Sequence, residues 1–308
     1  MHARPDTTTS GIALCLVSLF MFASQDAVTK FLVADYEAAQ FVMIRFWVFA
    51  FFATALAIKR LGLRRMFVSK RPFLQIGRSL LLVVEIVLFA SGLRYLGLAD
   101  MHASFTTFPL LATAMAPFIL GEHVGWRRWS AVAAGFVGAM IIIRPGMGVF
   151  QPAVLIPLLA AFMFALYHVL TRLVSRHDHA VTSLIYVGWV GAMVTTPFGL
   201  AAWQPPTPQG WLLMGVLSVT GLFGHMLLIL ALECAPSSAL QPLNYLLLIW
   251  AMLMGFVVFG DLPDLITVVG ASVIVGSGLY AMFRERTRPS MDKKLPANAV
   301  SIKSERTQ

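Results

Sequence analysis

Ten stretches of mostly apolar residues, each about as long as a bilayer is thick, make up most of this chain. They lie near residues 11–33, 39–58, 73–93, 99–120, 129–143, 152–171, 181–202, 211–232, 238–259 and 264–283. A helix of about twenty apolar residues spans the hydrocarbon core of a bilayer. Few other structures satisfy every backbone hydrogen bond in lipid. The sequence therefore predicts an all-α integral membrane protein with ten transmembrane helices.

The composition agrees with lipid as the solvent. The 308 residues are 58% hydrophobic and 12% charged, against about 25% charged in soluble domains. Cys15 and Cys234 are far apart and suggest neither a disulfide nor a metal framework, and we expect no metal and no cofactor. The net charge of +9 comes from loops and a tail, so the expected partners are the bilayer and a small molecule, without nucleic acid. A homodimer is left open.

The basic residues indicate the orientation of the spans. If the N-terminus is cytoplasmic, only Arg94 and Arg144 lie on the outer side. The inner side then holds eighteen basic residues, namely Arg4, Lys59, Arg60, Arg64, Arg65, Lys70, Arg71, Arg127, Arg128, Arg172, Arg176, Arg284, Arg286, Arg288, Lys293, Lys294, Lys303 and Arg306. Positive charge is concentrated on the cytoplasmic side of membrane proteins. Both termini are therefore predicted to be cytoplasmic, which requires an even number of spans.

Two segments of the chain are similar at a constant offset. The run 93–122 begins at a short turn, crosses about twenty apolar residues and closes on Gly121-Glu122, and the run 232–261 closes on Gly260-Asp261, 139 residues later. The offset divides the chain into four parts. These are a cytoplasmic N-terminal tail (1–10), a first repeat (11–143), a second repeat (152–283) and a basic cytoplasmic tail (284–308). An odd number of spans in each half inverts one half relative to the other.

Several local strings carry a family resemblance. They are the first-span string 24–30 (Ser-Gln-Asp-Ala-Val-Thr-Lys), Arg45-Phe46, the string 93–99 (Leu-Arg-Tyr-Leu-Gly-Leu-Ala) with Gly121-Glu122, and Gly260-Asp261. In these strings the chain resembles the drug/metabolite transporter superfamily, in its EamA-type branch, over residues 11–283. The family usually has Glu where Asp261 stands. The resemblance implies two inverted five-helix repeats around a central cavity, and secondary transport by alternating access.

The resemblance also implies a class of substrate and a location. Members of the superfamily move small metabolites in either direction, and this chain looks most like those of the bacterial inner membrane. The Gln-Asp-Ala-Val-Thr-Lys string at 25–30 and the Met-Ile-Arg-Phe-Trp string at 43–47 are similar to those of riboflavin importers, which favours riboflavin uptake. Export of amino acids or related metabolites is the alternative, because the direction of transport is not encoded.

An enzyme is the competing class of function. An intramembrane serine protease needs a Gly-x-Ser site and a histidine, and Gly270-Ala271-Ser272 with His225 contains those residue types. The triplet has the spacing of an ordinary helix of small residues. We therefore expect no enzymatic activity.

Charged residues within the spans are the first candidates for function, since each needs a partner, a water path or a role. Asp26 and Lys30 are four apart on one helix face, and Asp26 and Arg45 lie about 10 and 9 Å from the outer ends of their spans. Asp26 is therefore predicted to pair with Lys30 or Arg45, as a static clamp between helices or as an outer gate. Arg78 lies about 7–8 Å from the inner end of its span and is predicted to extend to the lipid headgroups.

Glu85 and His225 form a second candidate pair. Each lies near the middle of its span, and Gly224, beside His225, is the residue 139 positions after Glu85. Burial disfavours the charged form of both groups. We predict that the two side chains face each other and bind substrate or carry a proton. The alternative is that each is satisfied separately in the core.

The remaining candidates are hydrogen-bonding and aromatic side chains suited to an uncharged ligand. They are His102, Thr106, Gln241, Asn244 and Tyr245, with Trp189 as a stacking wall. His102 and Gln241 are 139 residues apart, so inversion predicts that they lie at opposite mouths of one cavity. A planar ring with a polar rim, such as an isoalloxazine, suits this set, as does an aromatic amino acid.

Two local patterns predict how the helices bend and pack. Pro109 removes one backbone hydrogen bond inside its span and predicts a bend. The pairs Ala134-xxx-Gly138 and Ser272-xxx-Gly276 place small residues one turn apart, which predicts close helix contacts.

Overall fold

The computed structural model describes residues 5–62, 66–121, 124–143, 152–175, 177–178, 180–234 and 241–286. Within these ranges the chain is helical and contains no strand. The described helices are α1 (Pro5–Asp35), α2 (Ala38–Leu61), α3 (Pro72–Gly92), α4 (Leu98–Phe105), α5 (Phe108–Leu120), α6 (Trp126–Ile143), α7 (Leu155–Ser175), α8 (Ala180–Ala201), α9 (Pro208–Cys234), α10 (Leu246–Met254) and α11 (Leu265–Arg286). Short 3-10 turns precede α7 and α10, at Pro152–Val154 and Gln241–Tyr245, and a π-helical turn follows α10 at Gly255–Phe259.

The length and polarity of the helices identify a multi-pass membrane protein. Seven helices in the described ranges are long and apolar enough to cross a bilayer, and three shorter apolar helices lie at Trp129–Ile143, Leu243–Phe259 and Leu265–Tyr280. Large apolar side chains cover the outside of the bundle, where Phe73 and Leu265 are 88% and 78% exposed. Such a surface is stable in lipid rather than in water.

Glycine ends two of the spanning segments in the same backbone conformation. Gly121 follows α5 with φ 67°, and Gly260 follows the π-helical turn with φ 70°. This left-handed region suits glycine because a Cβ there meets the following carbonyl. The two glycines are the positions at which the repeated segments close.

The fourth apolar stretch is broken into two helices. α4 ends at Phe105 and α5 begins at Phe108, and the Thr106 and Thr107 hydroxyls donate to the carbonyl oxygens of His102 and Ser104. Pro109 has no N–H with which to continue the helical ladder. The break therefore lies beside the proline that predicts a bend in this span.

Helices from the two halves of the chain pack in pairs. α1 packs on α9, α2 on α8, α3 on α7, and α6 on α11. At the last contact the helices nearly touch, because a Cβ at Gly138 would lie 2.7 Å from the Gly270 carbonyl oxygen. Gly276 has no heavy atom within 4 Å of its Cβ position, so the contact predicted at Ser272-xxx-Gly276 is wrong for Gly276. The close approach lies at Gly270 instead.

Candidate functional site

The charged side chains of α1 find partners on other helices. His102 Nε2 on α4 lies 3.1 Å from Asp26 Oδ2, and Lys30 Nζ lies 2.5 Å from Asp261 Oδ2. Lys30 also lies 4.7 Å from the centre of the Phe259 ring, at the end of the π-helical turn. Asp26 and Lys30 therefore pair neither with each other nor, through a hydrogen bond, with Arg45. The partners come from the segment that follows α3 and from the loop after α10, whose positions relative to α1 are set by tertiary packing.

Arg45 lies among charged groups without hydrogen-bonding any of them. It interacts through space with Asp26 and Glu85, and with His225 on α9. Among the described residues, no oxygen accepts a hydrogen bond from its guanidinium. Arg45 is therefore a neighbour of both Glu85 and His225, the two residues that the sequence predicts to meet.

Glu85 is buried near the middle of α3, with 5% of its surface exposed. Its partners in the described chain are electrostatic, namely Asp26 and Arg45. His225 Nδ1 instead donates to the Gly221 carbonyl oxygen at 3.0 Å, and its ring packs edge-on against Phe22. The two side chains share Arg45 as a neighbour but do not hydrogen-bond each other.

Gln25, one residue before Asp26, completes this polar cluster. Its side chain is buried, and Nε2 lies 3.4 Å from Asp26 Oδ1. Its Oε1 is buried and has no hydrogen-bond partner in the described structure. A Cβ at Gly221 would lie 2.5 Å from this Oε1 and 3.4 Å from both Nε and Nη2 of Arg45. Gln25 and Arg45 therefore approach the same point on α9, where only a glycine leaves them room.

A group of aromatic rings adjoins the polar cluster through His102. The His102 ring packs edge-on against Phe89, with 5.2 Å between centroids, and Phe89 packs against Phe105. The group extends over Phe108, Phe164 and Tyr167 to His168. His168 is exposed although rings of α5 and α7 contact it on several sides. His168 also interacts electrostatically with His225.

The other predicted site residues are dispersed. The Thr106 hydroxyl donates to the His102 carbonyl oxygen and Trp189 Nε1 donates to Thr54 Oγ1, 3.0 Å away. Asn244 is half-buried in the turn before α10. Tyr245 is buried and lines an apolar cavity of about 650 Å³ between α4, α10 and α11. The side chain of Gln241 and the whole of Glu122 lie outside the part of the chain that the structure describes.

Arg78 belongs to a separate polar network that the sequence does not predict. Its side chain is 1% exposed. Nε donates to Gln75 Oε1 at 2.8 Å, Nη1 to Thr171 Oγ1 at 3.0 Å and Nη2 to the Ser183 carbonyl oxygen at 2.8 Å. The prediction that Arg78 extends to the headgroups is wrong, because α7 and α8 cover it and supply acceptors. The glutamine one turn before this intramembrane arginine is the sequence feature from which the network could have been predicted.

Asp178, in the loop between α7 and α8, joins that network to the loop between α2 and α3. It accepts hydrogen bonds from Ser69 Oγ, from the Lys70 N–H at 2.9 Å and from Gln75 Nε2 at 2.9 Å. Burial raises the pKa of the Asp178 carboxyl, but these hydrogen bonds outweigh burial and hold that pKa below its usual range. The carboxylate is therefore ionised at neutral pH and fastens two loops at one end of the bundle.

The residue types of a serine protease are present without its arrangement. Ser272 Oγ donates to the Val268 carbonyl oxygen, and His225 uses Nδ1 on Gly221. A catalytic pair requires the hydroxyl within hydrogen-bonding reach of the imidazole. The described geometry offers no such pair.

Comparison with protein families gives an independent view of the chain. A model of the EamA-like transporter family matches residues 9–144 and 151–283. Taken together the two matches cover most of the sequence, and each covers one of the halves between which the helices pair.

Individual relatives have names that include a transported molecule. The S-adenosylmethionine uptake transporter of Rickettsia prowazekii is 27% identical over 288 residues, 93% of this chain and 97% of that protein. The riboflavin transporter of Vibrio cholerae is 33% identical over 224 residues, 71% of this chain and 74% of that protein. A solved crystal structure with 16% identity matches 92% of this chain with a TM-score of 0.61, which indicates a shared fold.

Proposed function

This chain belongs to the EamA-like transporter family, and from that membership we propose that it carries a small polar or aromatic metabolite across the bacterial inner membrane by alternating access. The family and its named relatives indicate a transporter rather than an enzyme. One observation carries the proposal. Asp26, Arg45 and Glu85, from three helices, lie together with His102 in the middle of an apolar bundle, and intramembrane charges of this kind mark substrate or ion pathways.

The architecture of the proposal is ten spans in two inverted repeats. If the two halves of the chain are exchanged, the contact of α1 with α9 corresponds to that of α7 with α3, and both contacts occur. In the same way the contacts of α4 and α5 with α7 correspond to that of α10 with α1, and these also occur. The same exchange leaves α2–α8 and α6–α11 unchanged. This pattern, with the shared left-handed glycines, supports a two-fold relation. Because each half has five spans, the axis lies in the membrane plane.

Both termini are proposed to be cytoplasmic, because the basic residues are concentrated on that side. Fusion of a reporter that fluoresces only in the cytoplasm to Gln308, and of a phosphatase active only in the periplasm to Pro205, tests this topology. We expect both fusions to be active. Two inactive fusions would require the opposite orientation.

The proposed substrate class is a fused nitrogen heterocycle joined to a polar chain, taken up into the cell. Riboflavin and S-adenosylmethionine both have this form, and both stand in the names of relatives. In the structure, the polar cluster of Asp26, Arg45 and Glu85 adjoins the aromatic group through His102. One region can therefore solvate charge and the other can stack against a ring.

Transport by purified protein in liposomes tests the proposal. Radiolabelled riboflavin, S-adenosylmethionine and amino acids are each supplied outside liposomes loaded with the same unlabelled compound. We expect saturable exchange of riboflavin or S-adenosylmethionine, absent from empty liposomes. Exchange of amino acids alone would favour the alternative of an amino acid exporter, and leakage without saturation would indicate a channel.

A further inference from the structure

Three polar groups around one point in the bundle lack hydrogen-bonding partners. The first is Oε1 of Gln25, a buried atom, and the others are the guanidinium of Arg45, which is half-buried, and the carboxyl group of Glu85. The three side chains come from α2, α3 and α1, and Gly221 on α9 forms the fourth side. Among the described residues, the charges interact through space but no hydrogen bond satisfies these atoms.

The arrangement leaves hydrogen-bonding positions that another molecule could fill. A buried polar atom without a partner has lost its hydration without compensation, and Gln25 Oε1 is such an atom. Arg45 is stabilised in part by Coulomb attraction to Asp26. The hydrogen-bonding positions of the guanidinium and of Oε1 remain open for a ligand.

The groups that lack hydrogen-bonding partners indicate the chemistry of a ligand that would complement them. A guanidinium presents two parallel N–H donors that match a carboxylate. Gln25 Oε1 and Glu85 are acceptors, which match the N–H groups of an ammonium. Asp26 and Glu85 lie near the guanidinium, so their oxygens can accept hydrogen bonds from a positive group beside the negative one.

We propose that Arg45, Gln25 and Glu85 form a subsite for the zwitterionic α-amino acid headgroup of the substrate. Arg45 binds the carboxylate, while Glu85 and Gln25 Oε1 bind the ammonium. The inference rests on the proposed transport function and narrows its substrate class. It favours an amino acid bearing a ring system, such as S-adenosylmethionine, over riboflavin, which has no such headgroup.

Binding to purified protein tests the headgroup directly with two matched pairs of probes. S-Adenosylhomocysteine and 5′-methylthioadenosine share the adenosine and the sulfur, but only the first has the amino acid headgroup. L-Tryptophan and indole form the second pair. We expect at least one headgroup-bearing probe to bind, and its partner to bind at least tenfold more weakly by calorimetry.

Variants assign the effect to the subsite. Arg45→Gln is expected to lower the affinity for the headgroup-bearing probe at least tenfold and to leave the affinity for the headgroup-free probe unchanged. Arg45→Lys is expected to give an intermediate affinity for the headgroup-bearing probe. Gly221→Ala places a methyl group against Gln25 Oε1, a movable side-chain end, so the protein is expected to fold and to lose headgroup affinity. Gly215→Ala, on the same helix with nothing within 4 Å, is the matched control and is expected to bind like the wild type.

Several results would overturn the subsite. They are equal affinities within both probe pairs, a failure of all four probes to bind, or equal weakening of both members of a pair by Arg45→Gln and Gly221→Ala. Exchange of riboflavin without exchange of S-adenosylmethionine or of any amino acid would reject the headgroup subsite while leaving the transporter proposal intact. Loss of exchange for every compound would reject both.

Discussion

At the scale of single residues, Arg78 shows how a membrane protein holds a buried cation without a carboxylate. Its three hydrogen bonds go to a glutamine, a threonine and a backbone carbonyl, and its guanidinium lies 5.6 Å from the centre of the Tyr167 ring. Neutral acceptors and an aromatic face spread the charge over α3, α7 and α8. The side chain therefore stabilises the packing of those helices.

Replacement of Arg78 by methionine is expected to destabilise the protein by about 2–4 kcal/mol, because it removes three hydrogen bonds inside the bundle, two of which join α3 to α7 and α8. The midpoint of thermal unfolding in detergent should fall by several degrees. Gly77→Ala, next to it in α3 with nothing within 4 Å of the new Cβ, is the control. Equal midpoints for Arg78→Met and the wild type would contradict this role.

Asp178 yields a prediction about pH. Because its pKa in the folded protein is held below the usual value, the stabilisation is present above the unfolded pKa of about 3.9 and is lost as pH falls through the folded pKa. Asp178→Asn should therefore lower stability by about 1 kcal/mol, and by the same amount at every pH from about 5 to 8. A difference that shrinks between pH 8 and pH 5, measured by thermal unfolding in detergent, would contradict an ionised Asp178 with a low pKa.

At the scale of helices, the α6–α11 contact depends on two glycines. Cβ atoms at Gly138 and Gly270 would each lie 2.7 Å from the other residue's carbonyl oxygen, so alanine at either position must push the helices apart. The expected loss of stability is about 1–3 kcal/mol. Gly276→Ala, on the same helix but in open space, is expected to be neutral. Thermal unfolding of the three variants distinguishes these cases, and equal midpoints would contradict tight packing.

The same scale shows what the sequence could predict. Apolar runs located the helices, since burial in lipid requires them, and Pro109 located the break between α4 and α5. The partner of Asp26 could not be predicted in this way. The spacing of residues within α1 allows Asp26 to pair with Lys30, and the depth of Asp26 in the membrane allows it to pair with Arg45. The rotation of each helix about its own axis decides which of these side chains meet. That rotation depends on packing such as Gly221 against Gln25, which no periodicity encodes.

At the scale of the whole molecule, several contacts close one end of the bundle. Lys30 pairs with Asp261, and Arg94 binds the Val33 and Tyr36 carbonyl oxygens and Glu37. These bonds fasten the end of α1 to the segment after α3 and to the loop after α10. In the proposed alternating-access cycle this end opens, and we expect the Lys30–Asp261 pair to break when it does.

Lys30→Met is expected to favour the state that is open at this end. A partly exposed ion pair contributes up to about 1 kcal/mol, so the apparent affinity for substrate supplied from that side should rise by up to about fivefold. Combining Lys30→Asp with Asp261→Lys should restore the wild-type value in liposome exchange. Wild-type behaviour of Lys30→Met and of Asp261→Asn would show that the pair has no part in opening.

The left-handed caps at Gly121 and Gly260 have a consequence for the history of the chain. Two segments whose side chains differ at most positions end in the same backbone conformation, with φ of 67° and 70°. A turn of this kind is kept by steric necessity, whereas the apolar residues before it are exchangeable among one another. If the chain arose by duplication of an ancestral five-helix gene, such turns would therefore remain recognisable after the rest of the two sequences had changed.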